Sequence, residues 1–538
     1  MNKTFLIILS CICLFIYVGY LFNGFVFDDK ILIEKNPLIK SAQLLPNVFR
    51  TAIFDYWTGL QPYDRMYRPL QMVSYYLDYN LWGLNPAGFR LSNILLHLFN
   101  SILVFYLLTL IFKRKLLAAL SSVLFLVHPV HISTVAYISA RGDLLSTFFI
   151  LASCGLFFRF MNSKNYIFYF LSIFTAALAF LSRESALLVT IFLLLIIFVS
   201  PKPKEKLKYL AGFLILTVVY LVLRLVIFGP SGLAAHPGSV NWFFSLANFI
   251  NIIWHYVLLL LWPVNLRMFH STFLISQLSG VVLFLAILVF ILFLVAIFKW
   301  PKIKQVPAVV SFGLFWFLSG IIPVYFYFDA YPGLGRALMA ESWLYLPSIG
   351  FCLVFAYICL MHKKGKLIIL VGVTILGSLV VLNRVYWRNE VVFYERALQF
   401  LPADSLIQKN LVAAYLEAKE FPQAYAAIKK LEKYYADTPV VNMAWGQYYF
   451  AQGQAKEALK YYQQILSKSF FSNYCVSLCY AKLGDFNQAI EFGQISFRQN
   501  PFFEANVRQL AGLYKVTGQS EQADKYLILA KQLDPKAE

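Results

Sequence analysis

The stretch RFMNSKNYIFYFLSIFTAALAFLSRESALLVTIFLLLIIFVSPKPKEKLK, residues 159–208, contains the alternation that decides the fold. Two apolar segments, 165–181 and 184–200, lie between two turns rich in lysine and arginine. Basic residues near the ends of membrane spans are retained on the cytoplasmic side. Both basic turns are therefore predicted to be cytoplasmic, and the short turn at Arg183-Glu184 between them is predicted to lie outside.

The same alternation continues along the chain, which is 60% hydrophobic and only 13% charged. Eleven apolar segments are long enough to span a bilayer, and basic turns fall at every second gap between them. With the N-terminus inside, this pattern places the loop 23–89 and everything after about residue 384 on the outer face. Segment 242–262 is predicted to be re-entrant or interfacial, because a twelfth span would invert the later basic turns. The eleven segments are 4–22, 90–112, 115–133, 143–160, 165–181, 184–200, 207–228, 279–298, 306–328, 342–361 and 366–383.

The tail after about residue 387 is polar and repetitive. Leu411, Tyr415, Ala424 and Ile428 recur 34 residues later as Trp445, Tyr449, Ala458 and Tyr462. Two further units carry Tyr480 with Ala489 and Tyr514 with Ala523. This period is typical of tetratricopeptide (TPR) repeats. We therefore predict an all-α chain with two domains: a membrane helical bundle over residues 1–386 and a TPR α-solenoid over residues 387–538, with about four repeats after a degenerate first unit.

The net charge of +20 is explained by the basic inner turns. No soluble segment combines a basic patch with stacking aromatics, so nucleic acid is not an expected partner. The seven cysteines show no metal-ligand spacing, and Asp28-Asp29 lacks a separated Asp-x-Asp arrangement. No metal site or cofactor is assigned, and a requirement for a divalent metal is left open.

Asp28 and Asp29 follow the first apolar segment directly. Adjacent carboxylates near a bilayer repel each other and lose hydration, so one of them can stay basic enough to accept a proton. The pair is predicted to be catalytic, with Asp28 as the general base and Asp29 tuning its basicity and orienting the acceptor. The alternative is a solvated pair beside Lys30.

The predicted outer ends of the spans also collect cations and polar groups. Arginine offers planar donors that suit phosphate, and the predicted phosphate-binding residues are Arg141, Arg336, Arg183 and His128. A lipid-linked sugar phosphate would satisfy this chemistry, with its tail in the bilayer and its sugar outside. The predicted supporting residues are Arg68, Asn93, His97, His131, Asp143, Glu184 and Glu341.

At these residues the chain resembles the transmembrane-and-TPR O-mannosyltransferases and their bacterial relatives. The resemblance implies a GT-C glycosyltransferase that moves a sugar from a polyprenyl-phosphate carrier to a protein hydroxyl outside the cytosol. The chain differs from the family at two places: Arg183-Glu184 stands where the family has Lys-Glu, and Glu341-Ser342 where it has Glu-Arg. These differences leave the identity of the sugar and of the acceptor open. The similar stretches are FVFDDKILIEKNP (25–37), YRPLQMVSYYLDYNLWGLNPAGFRLSNILLH (67–97), VHPVHISTVAYISARGDLL (127–145), LSRESALL (181–188), ESWLYLPSIGFCLV (341–354) and WRNEVVFYERALQFLP (387–402).

Two alternatives stay open beside this prediction. The same scaffold could modify an envelope lipid or glycan, or the membrane part could only anchor a non-catalytic TPR assembly factor. The leading hypothesis has as partners a polyprenyl-phosphate sugar donor, a protein or peptide acceptor that the repeats could recruit, and the lipid bilayer. External repeats without an Asn-x-Ser/Thr sequence favour a bacterial inner membrane, with the TPR domain extracytoplasmic.

Overall fold

The computed structural model describes residues 3–58, 66–230, 242–273, 308–326, 336–465 and 469–535. Its contacts divide the chain into two compact units. The membrane unit comprises Met1–Leu21 and Arg90–Arg384, and the loop–repeat unit comprises Phe22–Phe89 and Val385–Glu538. The compact units thus differ from the predicted domains in one segment: the first loop, Phe22–Phe89, groups with the C-terminal helices.

The membrane unit is built from apolar helices. Five described helical stretches have the length and composition to cross a membrane: Lys3–Phe22, Pro86–Phe112, Ile138–Ser163, Pro203–Phe228 and Gly365–Trp387. Together with one bent pair they make up to six candidate spans. The described α-helices of this unit are Lys3–Tyr17, Pro86–Phe112, Lys115–Val127, Ile132–Val135, Arg141–Ser163, Tyr166–Ser182, Val189–Phe198, Pro203–Lys206, Ala211–Phe228, Trp242–Leu261, Ala308–Phe326, Ser348–Leu360 and Gly365–Asn383.

The chain is therefore an integral membrane protein, while the count of eleven spans stays a prediction. Four predicted spans appear as apolar helices of 10–17 residues, and the interfacial segment contains a fifth such helix. The predicted span 279–298 lies outside the described residues. The five shorter helices are Tyr166–Ser182, Glu184–Phe198, Asn248–Leu261, Ala308–Val324 and Ser348–Leu360.

The bent pair lies at His128-Pro129. Helix Lys115–Val127 ends there, and the axis bends by 51° before the helical stretch Pro129–Val135. Proline lacks an amide hydrogen and disfavours helical backbone in the residue before it. Accordingly His128 is extended (φ −70°, ψ 121°), and Pro129 opens a short 3₁₀ helix.

A feature absent from the sequence prediction is a two-stranded antiparallel sheet. Strand Phe269–Phe273 pairs with Arg336–Ala340, with Phe269 opposite Ala340 and Phe273 opposite Arg336. The strands come from two loops that the basic-turn pattern assigns to the same side of the membrane. Their pairing is consistent with that assignment.

The C-terminal tail forms the predicted helical hairpins. At each turn between paired helices one residue has a left-handed backbone: Lys419 (φ 60°), Gly453 (86°), Gly484 (84°) and Gly518 (75°). The alanines predicted to allow close helix approach, including Ala424, are buried. This region is therefore TPR-like. Its helices are Glu390–Leu398, Ser405–Glu417, Phe421–Tyr435, Pro439–Ala451, Ala455–Gln463, Phe470–Leu483, Phe486–Gln499, Glu504–Val516 and Ser520–Leu533.

The first loop is compact and largely helical. Helix Pro69–Trp82 covers a stretch in which Leu70, Val73, Leu77 and Leu81 recur at helical spacing. Within the loop–repeat unit, Leu44 packs against the apolar core of the last hairpin. The other helical elements of the loop are the π-helix Lys30–Glu34, the 3₁₀ helices Pro37–Ile39 and Leu45–Phe49, and the short helix Asp55–Thr58.

Candidate active site

The backbone around Asp28 and Asp29 is unusual. Phe27, the preceding residue, has φ 53°, a left-handed conformation that costs free energy in a bulky residue. Asp29 is followed directly by the π-helix Lys30–Glu34, a rare element found frequently at functional sites. The two carboxylates therefore lie on a strained turn, which we call the carboxylate turn (residues 26–30).

The two aspartates are not equivalent. Asp29 is fully buried, and its Oδ2 accepts a hydrogen bond from the amide of Val26 at 3.3 Å. Asp28 is only partly buried. A buried carboxylate needs hydrogen bonds to offset its lost hydration, so Asp29 is suited to holding the turn. Asp28 is the carboxylate that solvent can reach.

Two phenols surround Asp28. Burial, and after it the negative charge of Asp28, raises the pKa of the Tyr56 hydroxyl well above its usual value. Burial and the charges of Glu390 and Asp28 likewise raise the pKa of Tyr394. Both phenols therefore stay protonated at neutral pH. The Tyr56 hydroxyl donates to the carbonyl of Ile31, and the Tyr394 hydroxyl donates to Glu390 at 3.1 Å.

Lys30 is engaged by glutamates of the repeats. Its Nζ lies 2.6 Å from Glu390 and is also hydrogen-bonded to Glu417. Burial lowers the pKa of this amine, but the two hydrogen bonds outweigh burial and raise the pKa. The Lys30 ammonium is therefore held by two glutamates of the C-terminal helices.

The membrane unit contains a cleft lined by both polar and apolar residues. Asp143 projects into it from the first turn of Arg141–Ser163, and Arg183 from the junction after Tyr166–Ser182. The guanidinium of Arg183 forms an ion pair with Asp143. Polar and charged groups in such surroundings are costly unless paired. The remaining lining residues are Ser146, Thr147, Ser185, Leu188, Gly320, Pro323, Val324, Trp343, Leu346 and Pro347.

Glu184 has a different partner from its neighbour. Its carboxylate lies 3.5 Å from Arg224, the arginine within helix Ala211–Phe228. Arg183-Glu184 is thus not a local pair, because each residue binds a charge on another helix. Arg183 alone of these two lines the cleft.

Arg141 is buried, with 1% of its surface exposed. Its Nε donates to the side-chain oxygen of Asn93 at 2.7 Å, and the amide of Asn93 reaches the carbonyls of Val135 and Tyr137 at 3.4 Å. The structure brings Arg141 and Asn93 into one cluster. That cluster ties helix Pro86–Phe112 to the turn after Pro129.

The three histidines are also buried. His97 lies 2.8 Å from the Tyr345 hydroxyl and 3.0 Å from the carbonyl of Leu126, and His131 lies 2.8 Å from the Ser348 hydroxyl. The contacts of His128 do not favour its predicted role in binding phosphate. One ring nitrogen lies 3.0 Å from the Leu260 carbonyl, and the other accepts from the Val130 amide, so neither is available to a phosphate.

Glu341 lies in a cluster that the sequence did not reveal. The buried carboxylate accepts from the amide of Arg267 at 2.7 Å and lies 2.7 Å from Nε2 of His270. His270 is on the strand that pairs with Arg336–Ala340, and only the sheet brings it to Glu341. The side chain of Arg336 lies outside the described residues.

The remaining predicted residue, Arg68, is buried and precedes helix Pro69–Trp82. Arg68, Asp28 and Asp29 belong to the loop–repeat unit, whereas the other predicted site residues belong to the membrane unit. Among the described residues, no group of three or more His, Cys, Asp or Glu side chains could hold a metal ion.

Comparison with known proteins gives these groups a context. Residues 75–224 match the family model described as dolichyl-phosphate-mannose-protein mannosyltransferase. The chain is distantly homologous to protein O-mannosyl-transferases. It is 26% identical to one from Caenorhabditis elegans, over 76% of this chain and 59% of that protein. It is 27% identical to TMTC4 of Homo sapiens, over 72% of this chain and 61% of that protein.

The chain thus spans about three fifths of the length of these two relatives. Among solved structures, MamA is 19% identical, with a TM-score of 0.23 over 27% of this chain and 87% of that chain. The Cut9–Hcn1 structure is 11% identical, with a TM-score of 0.28 over 85% of this chain and 89% of that chain. Scores this low support no conclusion about the fold.

Proposed function

We propose that this protein transfers a sugar from a polyprenyl-phosphate carrier to a hydroxyl group of a protein acceptor. The family description names dolichyl-phosphate mannose as donor and protein as acceptor, and this chain is proposed to use the same classes of substrate. The observation that carries the proposal is the carboxylate turn. It holds a solvent-reachable Asp28 beside a fully buried Asp29 on strained backbone.

In the proposed reaction, the carboxylate of Asp28 accepts the proton of the acceptor hydroxyl. The hydroxyl oxygen attacks the anomeric carbon of the sugar, and the bond from that carbon to the phosphate oxygen breaks. The carrier leaves as a phosphate, which is stable as an anion, so a strong general acid is not needed. General-base help of this kind accelerates a reaction by about 10²–10⁴-fold.

We propose that Arg183 is the main phosphate ligand in the cleft. It can bind phosphate oxygens in a bidentate manner. The apolar lining residues Val324, Trp343 and Leu346 suit the first isoprene units of a carrier. The phosphate roles of Arg141 and Arg336 stay predictions. His128 is left out of the proposed site because both of its ring nitrogens have protein partners.

The proposed orientation follows the basic turns. Eleven spans would place the loop–repeat unit and the sugar-transfer site outside the cytosol, with the basic turns 202–208, 299–304 and 363–366 inside. A bacterial inner membrane is the proposed location. Cysteine labelling of intact cells with an impermeant reagent tests this orientation, and protection of the tail until lysis would refute it.

The decisive test is Asp28→Asn in the full-length protein in membranes. Asparagine keeps the size of the side chain and removes its basicity, so sugar transfer should fall about a hundredfold or more. Asp524→Asn, the same change on an exposed residue, is the matched control. A wild-type rate in both Asp28→Asn and Asp29→Asn would show that the carboxylate mechanism is wrong. Sugar recovered on lipid or glycan, with none on protein, would favour the alternative acceptor.

The donor role is tested by Arg183→Lys, which keeps the charge but loses the planar set of donors. Binding of polyprenyl phosphate should weaken about tenfold, as expected when a bidentate contact is lost. Arg159→Lys, an exposed arginine of the same unit, should leave binding unchanged. Unaltered affinity in Arg183→Lys would make the Arg183–Asp143 pair purely structural.

A further inference from the structure

The repeats contact the first loop at both ends of the array. At the near end, Lys30 binds Glu390 and Glu417 on the first two helices of the tail. At the far end, Lys40 lies 2.8 Å from Asp534 after the last helix. Between them, the side-chain amide of Asn500 donates to the carbonyl of Tyr56 at 2.7 Å. Segment 30–56 of the first loop thus contacts the first two helices of the tail and its last hairpin.

The far contact is a buried clamp. The side chains of Lys40 and Asp534 are 5% and 6% exposed, Glu504 lies 3.6 Å from the same ammonium, and the Tyr79 hydroxyl donates to Asp534 at 3.2 Å. A buried charge is tolerated only in a specific pairing, so such contacts fix which surfaces meet. Leu44 adds apolar contact with the core of the last hairpin.

The near contact brackets the carboxylate turn. Before the turn, the amide of Gly24 donates to the carbonyl of Arg388 at 2.9 Å. Within it, the ring of Phe27 lies 6.2 Å from that of Phe393. At its last residue, Lys30 reaches Glu390. Helix Glu390–Leu398 and the residues just before it therefore hold the backbone on both sides of Asp28.

We infer that the repeat array binds the first loop of its own chain, and that Glu390 and Glu417, acting through Lys30, are positioning residues for Asp28. The positioning part rests on the proposed function, whereas the intramolecular binding does not. The inference differs from the usual role of a solenoid, whose surface captures a separate partner. Here the described contacts join both ends of the array to a segment of the same polypeptide.

The two roles predict different kinetics. If the array mainly recruited the acceptor, neutralising Glu390 and Glu417 would raise the KM for an acceptor protein and leave kcat intact. If the array positions Asp28, kcat falls and KM stays the same, because the base is displaced while acceptor binding is untouched.

The experiment uses the full chain with Glu390→Gln and Glu417→Gln, reconstituted in lipid nanodiscs. We expect kcat to fall about tenfold, as for a misplaced catalytic group, with acceptor KM within about twofold. Amide hydrogen exchange of residues 22–39 should become faster. The control is Glu457→Gln with Glu521→Gln, two surface glutamates of the same array, which should change neither quantity.

Swapping the charges of Lys30 and its two glutamate partners distinguishes a lost ion pair from a folding defect. In Lys30→Glu alone, residues 22–39 should lose protection against amide hydrogen exchange. Adding Glu390→Lys with Glu417→Lys should restore that protection and most of kcat. Unchanged exchange in the glutamine variant overturns the intramolecular binding. Lost protection with unchanged kcat overturns the positioning role. A wild-type protein without transferase activity overturns the proposed function instead, and hydrogen exchange still decides the binding.

Discussion

The near and far ends of the loop–repeat unit hold the first loop in different ways. At the far end a lysine and an aspartate are almost fully buried, with a tyrosine bonded to the same carboxylate. At the near end Lys30 is 19% exposed and one of its partners, Glu417, is 59% exposed. Buried pairs resist change because breaking them strands a charge, whereas exposed pairs contribute little. The far end is thus the more buried anchor, and the near end holds the carboxylate turn through a partly exposed lysine that Glu390, 14% exposed, also binds.

The backbone shows the same contrast. The turn of the last hairpin has Gly518 in its left-handed position, where glycine has no steric cost, but the first hairpin has Lys419 there. Phe27, in the carboxylate turn, is a second left-handed non-glycine residue at the near end. Strain of this type persists where surrounding structure enforces it, and it is found at functional sites. The near end combines strain, partial exposure and the proposed base.

The largest expected effect is at the far anchor. Asp534→Ala removes the carboxylate that binds both Lys40 and Tyr79 and leaves a buried ammonium with only the more distant Glu504. Local stability, measured by native-state hydrogen exchange of residues 504–516, should fall by about 3 kcal/mol, the lower end expected for a broken buried pair. Asp524→Ala on the exposed face should change it by less than about 0.5 kcal/mol. Equal small losses in both variants would mean that the anchor contributes no stability.

This anchor could not be predicted from the sequence. Lys40 and Asp534 are 494 residues apart, and neither residue type nor periodicity indicates that they meet. The helices could be predicted, because hydropathy and the 34-residue period depend on local spacing. The partners of the charges could not, as Arg183 with Asp143, Glu184 with Arg224 and Glu341 with His270 show. Such pairs are chosen by tertiary packing.

A smaller effect separates the two aspartates of the near end. Asp29→Ala leaves the Val26 amide without its carboxylate partner in a buried place, so the turn should lose about 1–3 kcal/mol. Asp28→Ala should cost less than about 0.5 kcal/mol, because its side chain is partly exposed. Hydrogen exchange of residues 26–34 measures both. Stability and transfer rate should then respond to different aspartates, and a larger loss of stability in Asp28→Ala would reverse the assigned roles.

The smallest effect tests whether the near end is strained. In Lys419→Gly the left-handed backbone of the first hairpin turn becomes unstrained, as it already is at the three glycines in the equivalent positions. Glycine also gives the unfolded chain more freedom, which offsets part of the gain. The exposed Lys419 side chain forms little packing, so the first hairpin should be stabilised by about 0.5 kcal/mol, within the range for a relieved left-handed residue.

Gly453→Ala, the reverse change one repeat later, should destabilise its hairpin by about 1 kcal/mol. Thermal unfolding followed by hydrogen exchange of residues 405–435 and 439–463 compares the two. If Lys419→Gly destabilises its hairpin as much as Gly453→Ala destabilises the next, then the near end stores no strain at this turn, and its backbone strain is confined to Phe27.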